Sequence, residues 1–165
     1  MTPEECVKSR IESFQARLAE RNIDLAIITK PVDIYHFSLF NPVVQSMKSF
    51  MLIPQKGEAR LLLHALRGPH ARKESPIQSI VCYAKWGSTP SIAEDPFEAL
   101  RLAAAEYGLS HPVVGAELGA LTYSDYKSLR AKLAVRELED VTGLVSAEKL
   151  VKDALAIERL RMAAD

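Results

Sequence analysis

Phe50-Met51-Leu52-Ile53-Pro54-Gln55-Lys56-Gly57-Glu58-Ala59-Arg60-Leu61-Leu62-Leu63-His64 is the stretch that decides the fold class. Two apolar runs, Phe50 to Pro54 and Ala59 to His64, flank the polar turn Gln55-Lys56-Gly57-Glu58, the pattern of a β-hairpin. Upstream, Leu25 to Thr29 is a short apolar run rich in Ile, the composition of a strand buried on both faces. Downstream, Ile77 to Tyr83, Pro112 to Ala116 and Val135 to Leu138 read as further strands, with a loop from Ala84 to Ile92.

Helices separate these strands. Thr2-Pro3-Glu4-Glu5 supplies an N-cap, a proline at the first helical position and a capping-box Glu, and Val7, Ile11, Phe14 and Leu18 then mark one apolar face. Pro31 opens a short helix through Phe37, followed by a loop over Asn41-Pro42 to about Ser46. Asp95-Pro96-Phe97-Glu98 repeats the capping device before a stripe of Phe97, Leu100, Ala104 and Tyr107, and Gly108 suits the stop. Thr122 caps a helix with Tyr126, Leu129 and Leu133 on one side. Strands alternating with helices, plus one hairpin, predict an α/β fold: a mixed β-sheet with helices on both faces.

The last segment, Leu144 to Asp165, reads as two helices. With Asp153 as N-cap, Ile157, Leu160 and Ala164 share a face with Ala156 and Ala163, while Leu155 and Met162 lie opposite. Apolar residues on both sides predict a second body packing there. No Gly or Pro stop precedes Asp165, so the pattern is expected to run on.

Composition narrows the function classes. The 165 residues suit one domain with a short extension, and 48% hydrophobic with 25% charged residues is the balance of a globular chain with its own core. Lys and Arg number 21, as do Asp and Glu, so no net field draws the chain to nucleic acid or an anionic membrane. No apolar run approaches the ~20 residues of a membrane helix, and the acidic start lacks a signal peptide's features, so a cytoplasmic location is expected. Cys6 and Cys82 lie far apart and read as buried or part-buried thiols.

Local chemistry is sparse. Gly115-Ala116-Glu117-Leu118-Gly119 is neither GxGxxG nor a P-loop, and no GxSxG occurs. His36, His64, His70 and His111 show no metal-ligand spacing, and Glu94 and Glu117 have no acidic partner at a catalytic spacing. Arg67, His70, Arg72 and Lys73 form a basic cluster that reads first as a solvated face. Without interleaved aromatics it does not read as a nucleic-acid site. Trp86, the lone tryptophan, sits in a loop with Lys85 and Gly87, where contact site and local packing are equal readings. The residues alone describe an α/β module without a self-contained active site.

The order of segments resembles the creatinase/prolidase/aminopeptidase P family. Leu18-Ala19-Glu20-Arg21-Asn22-Ile23-Asp24-Leu25-Ala26-Ile27-Ile28 is similar to its opening "L…RGLDALLI". Pro31 to Phe37 is similar to "P.NI.YLTGF", the hairpin to "LLVP..GEP.L", and Val114-Gly115-Ala116-Glu117 with Leu121-Thr122 to "IGVE…LT". Asp140 to Leu144, Leu150 to Asp153 and Ile157 to Arg161 resemble "D.S.LL…R.VKS..EI..LR.A". The usual Leu-Thr-Gly is replaced by His36-Phe37-Ser38-Leu39-Phe40, so that turn is expected to be built differently.

The resemblance implies residues 1–150 as the family's N-terminal α/β domain. Residues 151–165 would be a linker and the start of the first helix of a C-terminal "pita-bread" catalytic domain. That later domain holds two divalent metals (Mn, Co or Zn) on Asp, Asp, His, Glu and Glu; none of these ligands maps onto this sequence, so catalytic and metal-binding residues are none here. It further implies a homodimer, a peptide or small amide substrate of an Xaa-Pro dipeptidase-like metallohydrolase, and N-terminal domains that reach the rim of the neighbouring active site. The alternative is the N-terminal domain of a family member that has lost its metals and binds proteins. Creatinase places a Phe-Gly-Arg segment near its substrate carboxylate; Gln45-Ser46-Met47 stand there in this chain, with Lys48 adjacent as a poorer bidentate donor, against creatine as substrate. The site expectation is Lys48 and Trp86: a carboxylate-neutralising cation and a wall for a proline-sized pocket, on neighbouring loops from Asn41 to Lys48, with Val43, Val44 and Met47, and around Trp86.

Overall fold

The computed structural model describes residues 2–42 and 46–164; Val43, Val44 and Gln45 of the expected site loop lie outside the described residues. In chain order the elements are α1 (Pro3–Glu20), β1 (Leu25–Ile28), α2 (Pro31–Ser38), β2 (Phe50–Pro54), β3 (Arg60–His64), α3 (Gly68–Glu74), β4 (Ser79–Tyr83), α4 (Pro96–Ala105), β5 (Val113–Ala116), α5 (Tyr123–Leu133), β6 (Glu137–Asp140), α6 (Thr142–Glu148) and α7 (Ala154–Ala164).

The strands form one mixed sheet in the order β4-β3-β2-β1-β5-β6. The hairpin sets its character: β2 pairs antiparallel with β3 (Phe50↔Leu62, Leu52↔Arg60) and with β1 (Leu25↔Pro54, Ile28↔Met51). The β1–β5, β5–β6 and β3–β4 pairs are parallel, so β2 alone runs against the other five. Gly57 closes the turn at φ 107, a conformation that a side chain would strain.

The strands read as continuous apolar runs because both faces are buried. Ala26, Ile28, Met51, Ile53, Leu61 and Leu63 face one core, shared with Phe14 and Leu18 of α1, Ile34 and Phe37 of α2 and Val145 of α6. Leu25, Ile27, Phe50, Leu52 and Leu62 face the other, under Phe97, Leu100 and Ala103 of α4 and Leu129 of α5. Each fully buried Leu, Ile or Phe contributes about 1.5–3 kcal/mol. Gly115 permits the closest approach: a Cβ there would lie 2.4 Å from Val141 Cγ1.

Caps fix where the helices begin. Thr2 and Glu5 form the full reciprocal box of α1, with Glu5 N donating to Thr2 Oγ1 at 3.2 Å and Thr2 N to Glu5 Oε2 at 2.6 Å. The expected repeat at α4 is only half built. Asp95 Oδ1 accepts from Glu98 N at 2.8 Å, but the Glu98 carboxylate turns outward to Arg101 and Lys132, which hold it down at about 2. One further expectation is corrected. β6 begins two residues later than Val135, because Ala134 takes the left-handed conformation (φ 46) and turns the chain before pairing starts. The basic cluster after β3 is carried mostly by the short helix α3, which holds His70, Arg72 and Lys73, with Arg67 just before it.

The turn after α2 does lack its glycine, and Leu39 occupies the left-handed cap position at φ 57. Ser38 supports it, donating from Oγ to Ile34 O at 2.7 Å and accepting from Phe40 N at 3.1 Å. Cys6 and Cys82 are both buried and free. No helix among the described residues is long and apolar enough to cross a membrane.

Candidate functional site

Because only β2 is reversed, the ends of β1, β3, β4, β5 and β6 and the start of β2 gather at one edge of the sheet. The edge changes direction of winding between β1 and β5, the place where open α/β sheets form crevices. Buried at that point is a pair of carboxyls: Asp33 (1% exposed), in the first turn of α2, and Glu117 (0%), just past β5. Glu117 Oε2 accepts from Thr29 N at 2.8 Å and Lys30 N at 3.0 Å, tying the end of β1 to that of β5. Its second oxygen, Oε1, is buried without a hydrogen-bond partner among the described residues, and Lys30 touches both carboxyls, through its N–H on Glu117 and its Nζ beside Asp33. Asp33 is in turn held by Lys149 Nζ on its Oδ1 and by Lys30 Nζ at 3.5 Å.

The two carboxyls are pushed apart in acidity. Burial and the bond to Asp33 raise Glu117 to about 7, against the backbone N–H groups of Lys30 and Thr29. Burial would raise Asp33 as well, yet hydrogen bonds from Glu117 and Lys149 and the charges of Lys149 and Lys30 bring it below the ordinary carboxylate value. The pair therefore holds one proton in mildly acidic solution and gives it up as pH rises through about 7. Sequence reading missed this site, since Asp33 and Glu117 are partners only across the fold. The available signal was position: a Glu directly after a strand and an Asp two residues inside a helix opened by Pro31.

The expected pair Lys48 and Trp86 sits on the same edge. Lys48 Nζ is 2.7 Å from Asp125 Oδ1 of α5 and 5.7 Å from the centre of the Phe97 ring. It borders a cleft of about 270 Å³ with Thr29, Lys30, Met47, Phe50 and Leu121. Tyr83 Oη donates to Lys48 O at 2.9 Å and so brings the end of β4 against the loop before β2; burial raises the phenol to about 12. Trp86, three residues on, is 53% exposed, in a turn that Thr89 N closes on Trp86 O at 3.1 Å. It does not line the Lys48 cleft.

A second cleft, about 580 Å³, opens between α1, α2 and the α6–α7 segment. Charged contacts stitch that segment down: Arg10 grips Asp153 through Nε (2.6 Å) and Nη2 (2.9 Å), Arg17 meets Glu148 at 2.5 Å, and Arg159 reaches Tyr35 Oη. His36 in this cleft is held neutral, its pKa lowered to about 4 by burial and then by Arg10. Leu155 packs on the core, whereas Val151, Leu160 and Met162 are exposed. Among the described residues no three His, Cys, Asp or Glu side chains converge as a metal site.

The fold has counterparts among known proteins. Residues 10–162 match the family described as Creatinase/Prolidase N-terminal domain. The Xaa-Pro dipeptidase of Pyrococcus furiosus is 24% identical over 159 residues, 96% of this chain and 40% of that protein. The structure superposes on the Xaa-Pro dipeptidase from Bacillus anthracis with a TM-score of 0.75 at 21% identity, covering 92% of this chain and 38% of that one. For a proline dipeptidase from Streptococcus pneumoniae TIGR4 the TM-score is 0.72 at 18% identity, covering 86% of this chain and 98% of that one. The chain thus spans about two fifths of the length of the curated relative it matches. Sequence match and fold together place this chain in the Creatinase/Prolidase N-terminal domain family.

Proposed function

We propose that this chain serves as the N-terminal, non-catalytic domain of a prolidase- or Xaa-Pro aminopeptidase-like dinuclear metallohydrolase. The observation that carries the reading is the match over residues 10–162, nearly the whole chain, against only 40% of an Xaa-Pro dipeptidase. Residues 1–150 form the domain, and residues 151–165 are a linker and the start of the first helix of a catalytic domain. The packing of α7 supports that division: none of its residues is buried, and Ile157, Leu160 and Met162 present apolar surface to solvent. In the complete protein two divalent ions (Mn, Co or Zn), held by residues outside this chain, activate water for attack on a peptide or small amide. The domain supports a homodimer in the cytoplasm.

Within that assembly Lys48 and Trp86 belong to the rim of the partner's active site. Trp86 is half-exposed on a loop, as an aromatic that receives a partner or substrate must be. Lys48 is already paired with Asp125, so it would neutralise a substrate carboxylate only by exchanging that partner.

Two assays test the reading. The purified chain supplied with Mn²⁺, Co²⁺ or Zn²⁺ is expected to leave Xaa-Pro dipeptides intact; turnover overturns the assignment. In the complete enzyme, Trp86→Ala and Lys48→Ala are expected to raise KM with little loss of metal. If both leave peptide kinetics unchanged and Trp86→Ala only lowers Tm, the two loops are structural. If the complete reading frame lacks two or more of the five metal ligands, a protein-binding module replaces the enzyme.

A further inference from the structure

The buried carboxyls at the β1–β5 switch point have a feature that packing alone does not require. A structural anchor for the start of α2 needs one oxygen, Glu117 Oε2, accepting from Thr29 N and Lys30 N. The other oxygen, equally buried, has no donor among the described residues, and Lys30, whose N–H holds Glu117, reaches with its Nζ to the neighbouring carboxyl, Asp33. Two carboxylates in contact in a dry site repel, so the arrangement is satisfied when a proton lies between them. Asp33 is also the point that Lys149 reaches, and Lys149 caps α6 at the start of the segment leading to α7.

We propose that Asp33 and Glu117 share one proton and, through Lys149, make the seating of residues 148–153 on α1 and α2 responsive to pH. With the proton in place, Glu117 donates to Asp33, and Asp33 keeps a lone pair for Lys149. When the proton leaves, Glu117 stays fixed by its two backbone N–H donors. The repulsion then falls on Asp33 and its contact with Lys149.

Every charged group around the pair bears on this balance. From α2 come Lys30 and His36, the latter neutral at physiological pH. From α1 comes Arg10, committed to Asp153 at the start of α7 and to His36 O at 2.7 Å. Lys149 comes from α6. Beside Glu117, Asp140 at the end of β6 accepts from Leu118 N at 3.3 Å and is held ionised mainly by Thr142. With His36 held neutral by burial and Asp140 held ionised, the shared proton is the group that moves.

The test is carbon-detected NMR on the chain across pH 5 to 9. The Glu117 Cδ resonance is expected to titrate near 7, well above an ordinary glutamate, and the amides of residues 148–153 should shift with the same midpoint. Glu117→Gln should remove that midpoint from the amides. Lys149→Met should leave the Glu117 titration visible but uncouple it from residues 148–153. Asp33→Asn, a second variant independent of the Glu117 side chain, should return Glu117 toward an ordinary midpoint. A Glu117 midpoint below 5.5, or amides of residues 148–153 that ignore it, overturns the proposal.

Discussion

Replacing Gly115 by Ala is the most direct probe of how β5 sits against β6 and α6. Gly115 does not adopt a positive φ, so alanine suits its backbone, and reduced freedom of the unfolded chain would favour the variant by about 0.4–1 kcal/mol. Space decides the outcome instead. The new methyl would stand 2.4 Å from Val141 Cγ1 and 3.3 Å from Ile23 Cγ2, both fully buried. Val141 cannot retreat easily, because its N–H is bonded to Ala116 O at 3.0 Å and its carbonyl accepts from Val145 N at 3.0 Å. Overpacking of this kind costs about 1–3 kcal/mol, so Gly115→Ala should lower Tm by roughly 2–10 °C in a chain of this size. Val141→Ala alone should also destabilise, by about 2 kcal/mol from lost burial and the cavity left behind. The double variant is the decisive measurement. Removing the valine methyls makes room for the alanine, so the two losses should fall short of additivity by about 1 kcal/mol or more. Chemical denaturation of the four proteins gives the cycle. Strict additivity, or a Gly115→Ala variant as stable as its parent, would refute the close approach on which this reasoning rests.

Three further outcomes follow from the charges and caps. Glu117 is raised from 4.5 to about 7, so the native chain keeps a proton that the unfolded chain releases; stability therefore falls as pH rises through that window and levels off above it. Glu117→Gln lacks this dependence, and thermal melts at pH 5 and pH 8 should show it gaining on the parent by on the order of 2–3 kcal/mol; parallel curves would contradict the assignment. Asp95→Ala removes the oxygen that receives Glu98 N and should cost about 1 kcal/mol, read from the denaturation midpoint. An unchanged midpoint would deny the cap. Arg10→Met keeps the stem and removes the grip on Asp153, so amides of α7 should exchange faster with solvent while those of β1 and β2 keep their protection. Equal protection in α7 would mean that Leu155 and the contact of Arg159 with Tyr35 hold it without Arg10.

The hairpin, the capped start of α1 and the apolar run at β1 were legible because each is encoded by neighbours in the chain. Gly57 sits between two apolar runs, and Thr2 and Glu5 are one helical turn apart. What sequence could not give was anything that depends on a partner far along the chain. Glu117 looked solitary because Asp33 reaches it only after β1 and β5 pair in parallel. The helical state of Gly68 to Glu74 was hidden because its buried residues are small, Ala71 and Gly68 beside Cys82, and offer no large apolar stripe to count. The late start of β6 was set by a left-handed Ala134, a residue that carries no turn signature. Family resemblance reached the fold by another path, through the order of motifs, yet it carried no residue of the buried carboxyl network.

The contrast between the sheet and the α6–α7 segment bears on what the domain is built to do. The sheet and the start of α6 are held by two continuous apolar cores, whereas the stretch from Glu148 to Asp153 is tied down by ionic pairs: Arg17 with Glu148, Lys149 with Asp33 and Arg10 with Asp153. Partly buried ion pairs lose most of their Coulomb gain to desolvation, so they add little net stability and serve chiefly to fix one geometry. Apolar packing of equal area would have been tighter and less selective in angle. A segment that must present Val151, Leu160 and Met162 in one orientation gains more from the directional contacts. The same reasoning explains the position of the carboxyl pair. It lies where the parallel strands β1 and β5 end, beside the start of the helix that receives α7, so a change of one proton there acts on orientation and leaves the hydrophobic cores untouched.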